Sequence, residues 1–234
     1  MKKYTSKTKD WNARSGLFEA RWLDDVSAEG IDALVGALDT VHLEDKGRLN
    51  PELCRIGGIV TGAIRIRGSF AASGTPHIHI YHPGAWFGGY KAPSCMGASM
   101  TITAIGPTTI ETISSDAFLA AAKQCPDLWR AYAQFEASKH CLTATIAGDL
   151  ALRTSRQRIA AVLLRLTGYR GNCSDTVAST VAHVVQSDLA RLANLSLSKT
   201  SLHLTRLVDE KLIRVEYGRI AIVDQDALEQ VISS

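Results

Sequence analysis

Between Ser196 and Arg206 the chain carries Ser198, Lys199, Ser201, Thr205 and Arg206 at spacings that fall on the outward side of a helix, with Leu197 and Leu202 among them. Lysine and arginine neutralise phosphates, and short hydroxyls exchange hydrogen bonds with base edges. The chemistry on offer is therefore contact with double-stranded DNA. Leu197 and Leu202 fit thymine methyl groups or packing inside the protein about equally well, and His203 sits at the margin of the face. No Ser/His/Asp triad, phosphate-cradling loop or paired carboxylate motif stands out, so no enzyme activity is expected.

A second group is His77, His79 and His82. On a strand, His77 and His79 point to the same face, which makes joint metal ligation geometrically possible. A cupin-like metal protein would need a glutamate a few residues further on, where Tyr81, His82, Pro83 and Gly84 stand instead. A metal- or haem-binding sensor using the same histidines, or a ligand-free protein-interaction module, are the alternative readings. The expectation is a solvated strand face, with no metal and no other cofactor. Cys54, Cys95, Cys125, Cys141 and Cys173 are scattered without short paired spacing, which argues for small buried thiols and against a disulfide framework, a zinc site or an iron–sulfur cluster.

The elements that would position the first group are legible. A short helix is expected from about Ser187-Asp188, with Leu189, Leu192 and Ala193 as its apolar face. Asn194 accepts the left-handed backbone of a tight turn, and Ser196 caps a second helix with Thr200, Leu204, Leu207 and Val208 as its buried stripe. Val215, Tyr217, Ile220 and Ile222 then alternate about Gly218-Arg219, as a hairpin should. Helix, turn, helix and hairpin in this order are the layout of a winged helix-turn-helix. Its second helix can lie in a major groove.

Upstream, residues 1–17 read as a flexible arm, and Ser27 caps a short helix. Apolar alternations such as Gly58–Ile66, His77–Tyr81, Ser99–Ile105 and Thr109–Ile113, broken by glycine and proline, predict several short strands of a β-sandwich or jelly roll. Ser115-Asp116 caps a helix through Lys123, and Pro126 opens a long one. Leu128, Tyr132, Phe135, Leu142, Ile146 and Leu150 form a near-heptad stripe on it, read as the seam of a homodimer. A further helix is expected from Arg156 to Leu166, then a loop from Gly168 to Ser179.

The 234 residues are 46% hydrophobic and 21% charged, with a net charge of +3, so global charge points to no particular partner. The arginines are better placed than numerous: Arg153, Arg156, Arg158, Arg165, Arg170, Arg191, Arg206, Arg214 and Arg219 all lie in the second half. No apolar run is long enough to cross a membrane, and the lysine-bearing start is not followed by a signal-peptide core. A cytoplasmic location is expected.

A jelly roll, a long helix and a C-terminal winged helix-turn-helix in this order resemble the cyclic-AMP receptor protein and FNR family of bacterial transcription regulators. The matching stretches are Ile59–Ile66, His82–Gly89, Cys125–Leu128 and Ser196–Ile213. The resemblance implies an α+β chain with a sensor jelly-roll domain at 18–125, a dimerisation helix at 126–152 and a DNA-binding domain at 153–234. It also implies a homodimer on a near-palindromic operator, with RNA polymerase and an unknown small-molecule effector as further partners. Ser187, Leu197, Ser198, Lys199, Ser201, Leu202, Thr205, Arg206 and Arg219 would face the DNA. Trp86, Phe87, Gly88, Gly89, Ala98, Ser99 and Met100 would line the effector pocket.

Two departures matter. Gly89 stands where nucleotide-binding members place a ribose-binding glutamate, and Ala98-Ser99 where they place an arginine and a small residue for the phosphate. Ala98 offers no charge-assisted partner to a cyclic phosphate, so response to cyclic AMP is not expected. On the recognition helix, Leu197, Ser198 and Leu202 replace the family's arginine, glutamate and second arginine, which removes the bidentate grip on guanine.

Overall fold

A computed structural model describes residues 20–49, 56–70, 77–89, 98–171 and 179–233. The arm expected at 1–17, three of the cysteines (Cys54, Cys95 and Cys173) and most of the loop expected between Gly168 and Ser179 lie outside these residues. The chain divides into two compact units, Met1–Thr75 with Ile80–Ser138, and Pro76–His79 with Lys139–Ser234.

The first unit begins with a 3-10 turn, Arg21–Leu23, and helix α1, Ala28–Gly36. Ser27 caps α1 as expected, its hydroxyl accepting the Gly30 N–H at 3.1 Å. The Ser27 N–H in turn donates to Asp127 Oδ2 at 2.6 Å, which holds that carboxyl below the ordinary aspartate range. Six strands follow: β1 (Asp39–Leu43), β2 (Arg48–Leu49), β3 (Ile56–Phe70), β4 (His77–Tyr81), β5 (Trp86–Gly88) and β6 (Ala98–Ile113). They form one sheet in the order β1-β6-β3-β4, with β2 on β6 and β5 on β3.

The short strands expected from the sequence are in part pieces of longer ones. β3 runs for 15 residues and β6 for 16, paired antiparallel along most of their length. Glycine does not break them, because the ladder absorbs it in a bulge: the register shifts on both sides of Thr61. Gly62 there has φ +79°, and a Cβ on it would lie 2.5 Å from the Pro107 carbonyl oxygen. On β6, Gly106 at φ +70° donates its N–H to Asp45 Oδ1 at 2.9 Å.

Helix α2 spans Ser115–Gln124 and is capped by Ser114, one residue before the expected cap. Helix α3 spans Asp127–Ala151 and continues across the boundary of the two units. Its start packs into the core of the first unit with Trp22, Leu34, Trp86 and Ile113. Trp22 meets Trp86 edge-on with ring centroids 5.3 Å apart and lies tilted on Phe135 at the same distance.

That packing corrects the expected dimer seam. Leu128 and Phe135 are fully buried in the protomer's own core, Tyr132 packs against it, and Leu142 is buried as well. A side chain already covered within one chain is not available to a second. The apolar heptad read from the sequence is therefore mainly the inward face of α3, with Ile146 half-buried and Leu150 42% exposed. The opposite face carries Ala133, Ala137, His140, Ala144, Ala147 and Gly148, all exposed.

In the second unit, α4 (Ser155–Leu166) starts in a capping box, with the Thr154 side chain on the Gln157 N–H and the Gln157 side chain returning to the Thr154 N–H. It packs on α5 (Gln186–Leu192), α6 (Leu197–Asp209) and α7 (Gln225–Ser233). Strands β8 (Ile213–Glu216) and β9 (Arg219–Ile222) form the hairpin, and β7 (Val181–Ala182) adds to the far side of β9. Neither β7 nor α7 was apparent in the sequence. Among the described residues no helix is long and apolar enough to cross a membrane.

Candidate nucleic-acid interface

Helix α5 begins at Gln186, after an N-cap at Val185 that makes no side-chain cap. Ser187 and Asp188 therefore lie within its first turn and do not cap it; Ser187 is exposed and Asp188 is buried. Leu189, Leu192 and Ala193 face inward as expected. The turn then passes through Asn194 at φ +52°, and the Leu195 N–H closes it on the Ala190 carbonyl at 2.8 Å. Ser196 caps α6, its hydroxyl accepting the Lys199 N–H at 3.3 Å.

The burial of α6 follows from its period. Thr200, Leu204 and Leu207 lie on one line and are all buried, and the Thr200 hydroxyl donates to the Ser196 carbonyl at 3.0 Å. Val208, expected in the stripe, is 39% exposed, because one residue beyond Leu207 is about 100° around the helix from it. The next position on the buried line is Lys211, where φ is +60° and the helix has ended. Leu197, Ser198, Lys199, Ser201, Leu202, Thr205 and Arg206 are all exposed, so the structure gathers the seven helix positions on one accessible surface. His203 is intermediate. Burial first, then the cations of Arg206, Arg156 and Lys199, push its pKa below the usual histidine value, so it stays neutral at pH 7.

The hairpin turns at Tyr217-Gly218, with Glu216 opposite Arg219, one residue earlier than the sequence pattern placed it. Gly218 at φ +72° makes the tight turn possible, and Tyr217 stands fully exposed at the tip. Arg219 donates to Glu216 Oε2 at 2.6 Å, and Arg214 to Glu216 Oε1 at 3.0 Å. The Arg219 bond, then that of Arg214, lowers the Glu216 pKa. Arg156 pairs with Glu210, whereas Lys199 and Arg206 make no ion pair among the described residues. Arg165 and Arg170, counted among the basic residues, are instead bound to Asp149. The free positive charge at the helix thus reduces to Lys199 and Arg206 on its exposed face.

The proposed effector residues are only partly in view. Trp86 and Phe87 are buried and belong to the packed interior, Gly88 is exposed, and Met100 is 49% exposed. Gly89 has φ +134°, a conformation in which a side chain is strained. The side chains of Ala98 and Ser99 lie outside the described residues, as does that of His77. His79 is 3% exposed and His82 half-buried, which corrects the expectation of a solvated histidine face. Among the described residues no three potential ligands converge on a metal site. Cys125 is half-buried and Cys141 exposed, so neither is the fully buried thiol expected.

A helix presented by a shorter helix through an Asn turn, capped by serine and followed by a three-stranded wing, is matched from 157 to 231 by the family model of the Crp-like helix-turn-helix domain. The fold of the larger part is shared with regulators of the Crp/FNR type. FixK2 from Bradyrhizobium japonicum superposes with a TM-score of 0.70 at 17% identity, over 84% of this chain and 98% of that one. A Crp/FNR-family transcriptional regulator from Eubacterium rectale gives 0.61 at 15% identity, over 92% and 99%. A variant of CooA from Carboxydothermus hydrogenoformans gives 0.62 at 16% identity, over 84% and 88%. No curated protein matches the sequence. The fold class is therefore the expected α+β one: an antiparallel β domain, a long helix and a Crp-like helix-turn-helix.

Proposed function

We propose that the chain is a sequence-specific DNA-binding transcription regulator of the Crp/FNR type, acting as a homodimer on a near-palindromic operator. The observation that carries this reading is the α6 surface. It is exposed along its whole outward face, bears the cations Lys199 and Arg206, which make no ion pair among the described residues, and is framed by a wing. Two such helices one helical turn apart would enter successive major grooves on one face of the duplex.

The partner subunit would pack along the small-residue face of α3. Ala133, Ala137, Ala144 and Ala147 recur every three, four or seven residues and let two helix backbones approach closely. A signal from the β domain would pass along α3 to the DNA-binding domain, with a change in the pairing of the two copies as the readout.

Cyclic AMP is not the effector in this reading, because Gly89 and Ala98 replace the groups that would grip ribose and phosphate. Calorimetry with cyclic AMP should give no binding heat, and micromolar affinity would overturn this part. The central test is binding of the purified protein to the DNA upstream of its own gene and to a scrambled fragment, titrated against salt. Preference for the upstream fragment that survives physiological salt supports the reading. Equal and steeply salt-sensitive binding to both reduces it to electrostatic contact.

A further inference from the structure

Leu202 occupies the centre of the outward face of α6. It is 50% exposed and points away from the core line of Thr200, Leu204 and Leu207. Three residues before it and four after stand Lys199 and Arg206, which form one edge of the face. Four before and three after stand Ser198 and Thr205, which form the other, with Ser201 beyond. No acidic residue occurs from Leu197 to Val208, and the exposed Asp209, seven residues beyond Leu202, ends the helix two turns away. A single exposed leucine is ordinary on a protein surface. This one is bracketed by phosphate-neutralising and short hydroxyl side chains on the helix of a Crp-like helix-turn-helix domain.

The hydroxyls around it are in part already used. Thr205 Oγ1 donates to the Ser201 carbonyl at 3.1 Å, and Ser198 Oγ lies 3.2 Å from Ser196 Oγ. Both cations stand at the edge of the face, where the phosphate backbone borders a major groove. The centre therefore offers a base pair an apolar side chain and no charged donor. In the major groove the apolar feature that distinguishes one base from the others is the C5 methyl group of thymine.

We infer that Leu202 reads a thymine methyl group in each half-site, so that this methyl, and not the guanine edge, is the discriminating feature at that position. The inference rests on the DNA-binding reading above. The neighbouring Ser198 and Ser201 are short, which lets the helix approach closely enough for leucine to reach the methyl.

The test starts from a binding site enriched from a random DNA library by the full-length protein. Each thymine is then replaced by deoxyuridine, which removes the methyl and nothing else. At one position per half-site the change should weaken binding about fourfold, the value of burying roughly one methyl group. Leu202→Ala should bind thymine and uracil sites equally at that position, while Leu197→Ala should keep the difference. Uracil tolerance within twofold at every position overturns the inference, as does discrimination that persists in Leu202→Ala. A protein that enriches no sequence and binds all DNA equally overturns the regulator reading itself. That outcome is distinct from a specific site that tolerates uracil.

Discussion

Asp149 Oδ2, near the end of α3, lies 3.0 Å from Arg165 Nε on α4, and both side chains are only 1% exposed. Arg170 adds a second contact, its Nε 2.6 Å from Asp149 Oδ1. A charge buried this deeply is tolerated because its partner is beside it, and removing one member leaves the other without compensation. Asp149→Ala should destabilise the Lys139–Ser234 unit by about 3–5 kcal/mol, seen in chemical denaturation. The double variant Asp149→Leu/Arg165→Met should recover most of that loss. A single substitution that costs nothing would show that the pair has no structural role.

Lys199 and Arg206 are the exposed cations on the outward face of α6. Lys199→Glu and Arg206→Glu should each weaken DNA binding across all sequences and reduce the slope of log affinity against log salt by about one. Fluorescence anisotropy at several salt concentrations measures both. An unchanged slope in both variants would mean that α6 does not face the phosphates.

Ser196 and Asn194 set the angle between α5 and α6 through different means, a cap and a left-handed backbone. Ser196→Ala should cost about 1 kcal/mol of stability. Asn194→Gly should be close to neutral, because glycine accepts φ +52° freely, whereas Asn194→Val should cost more than the cap does. Thermal unfolding that ranks these three otherwise would contradict the turn geometry.

The outward face of α3 is tested by size. Ala144→Glu places a long charged side chain on the small-residue face and, with two copies paired there as proposed, should leave the protein monomeric in sedimentation where the unsubstituted chain is a dimer; an unsubstituted chain that sediments as a monomer overturns the pairing. Leu150→Glu lies off the centre of that face and should have a weaker effect. If only Leu150→Glu dissociates the protein, the seam runs along the edge of α3 and not through its alanines.

The sequence by itself determined the turn between α5 and α6 and the cap of α6. Ser196 as a cap and Asn194 as a left-handed residue could be read directly, because caps and turns are local and depend on the chemistry of one or two side chains. The same locality fixed Ser27. It also placed Thr200, Leu204 and Leu207 on one face, although it overextended the stripe to Val208.

Only the tertiary structure decided what covers each face. Periodicity marks Leu128, Phe135 and Leu142 as apolar without saying whether the covering surface comes from the same chain or another, and Trp22 and Trp86 answer that for the first two. A row of alanines gives no hydrophobic signal, so the exposed face of α3 was silent in the sequence. The long strands were hidden for a related reason. Gly62 looks like a break in one strand read alone and becomes part of a bulge only when the partner strand is paired with it, while the Gly106 N–H is taken by the Asp45 side chain from outside that pair. Likewise Arg165 reads as one more basic residue until the fold, which joins positions sixteen residues apart, brings Asp149 to it.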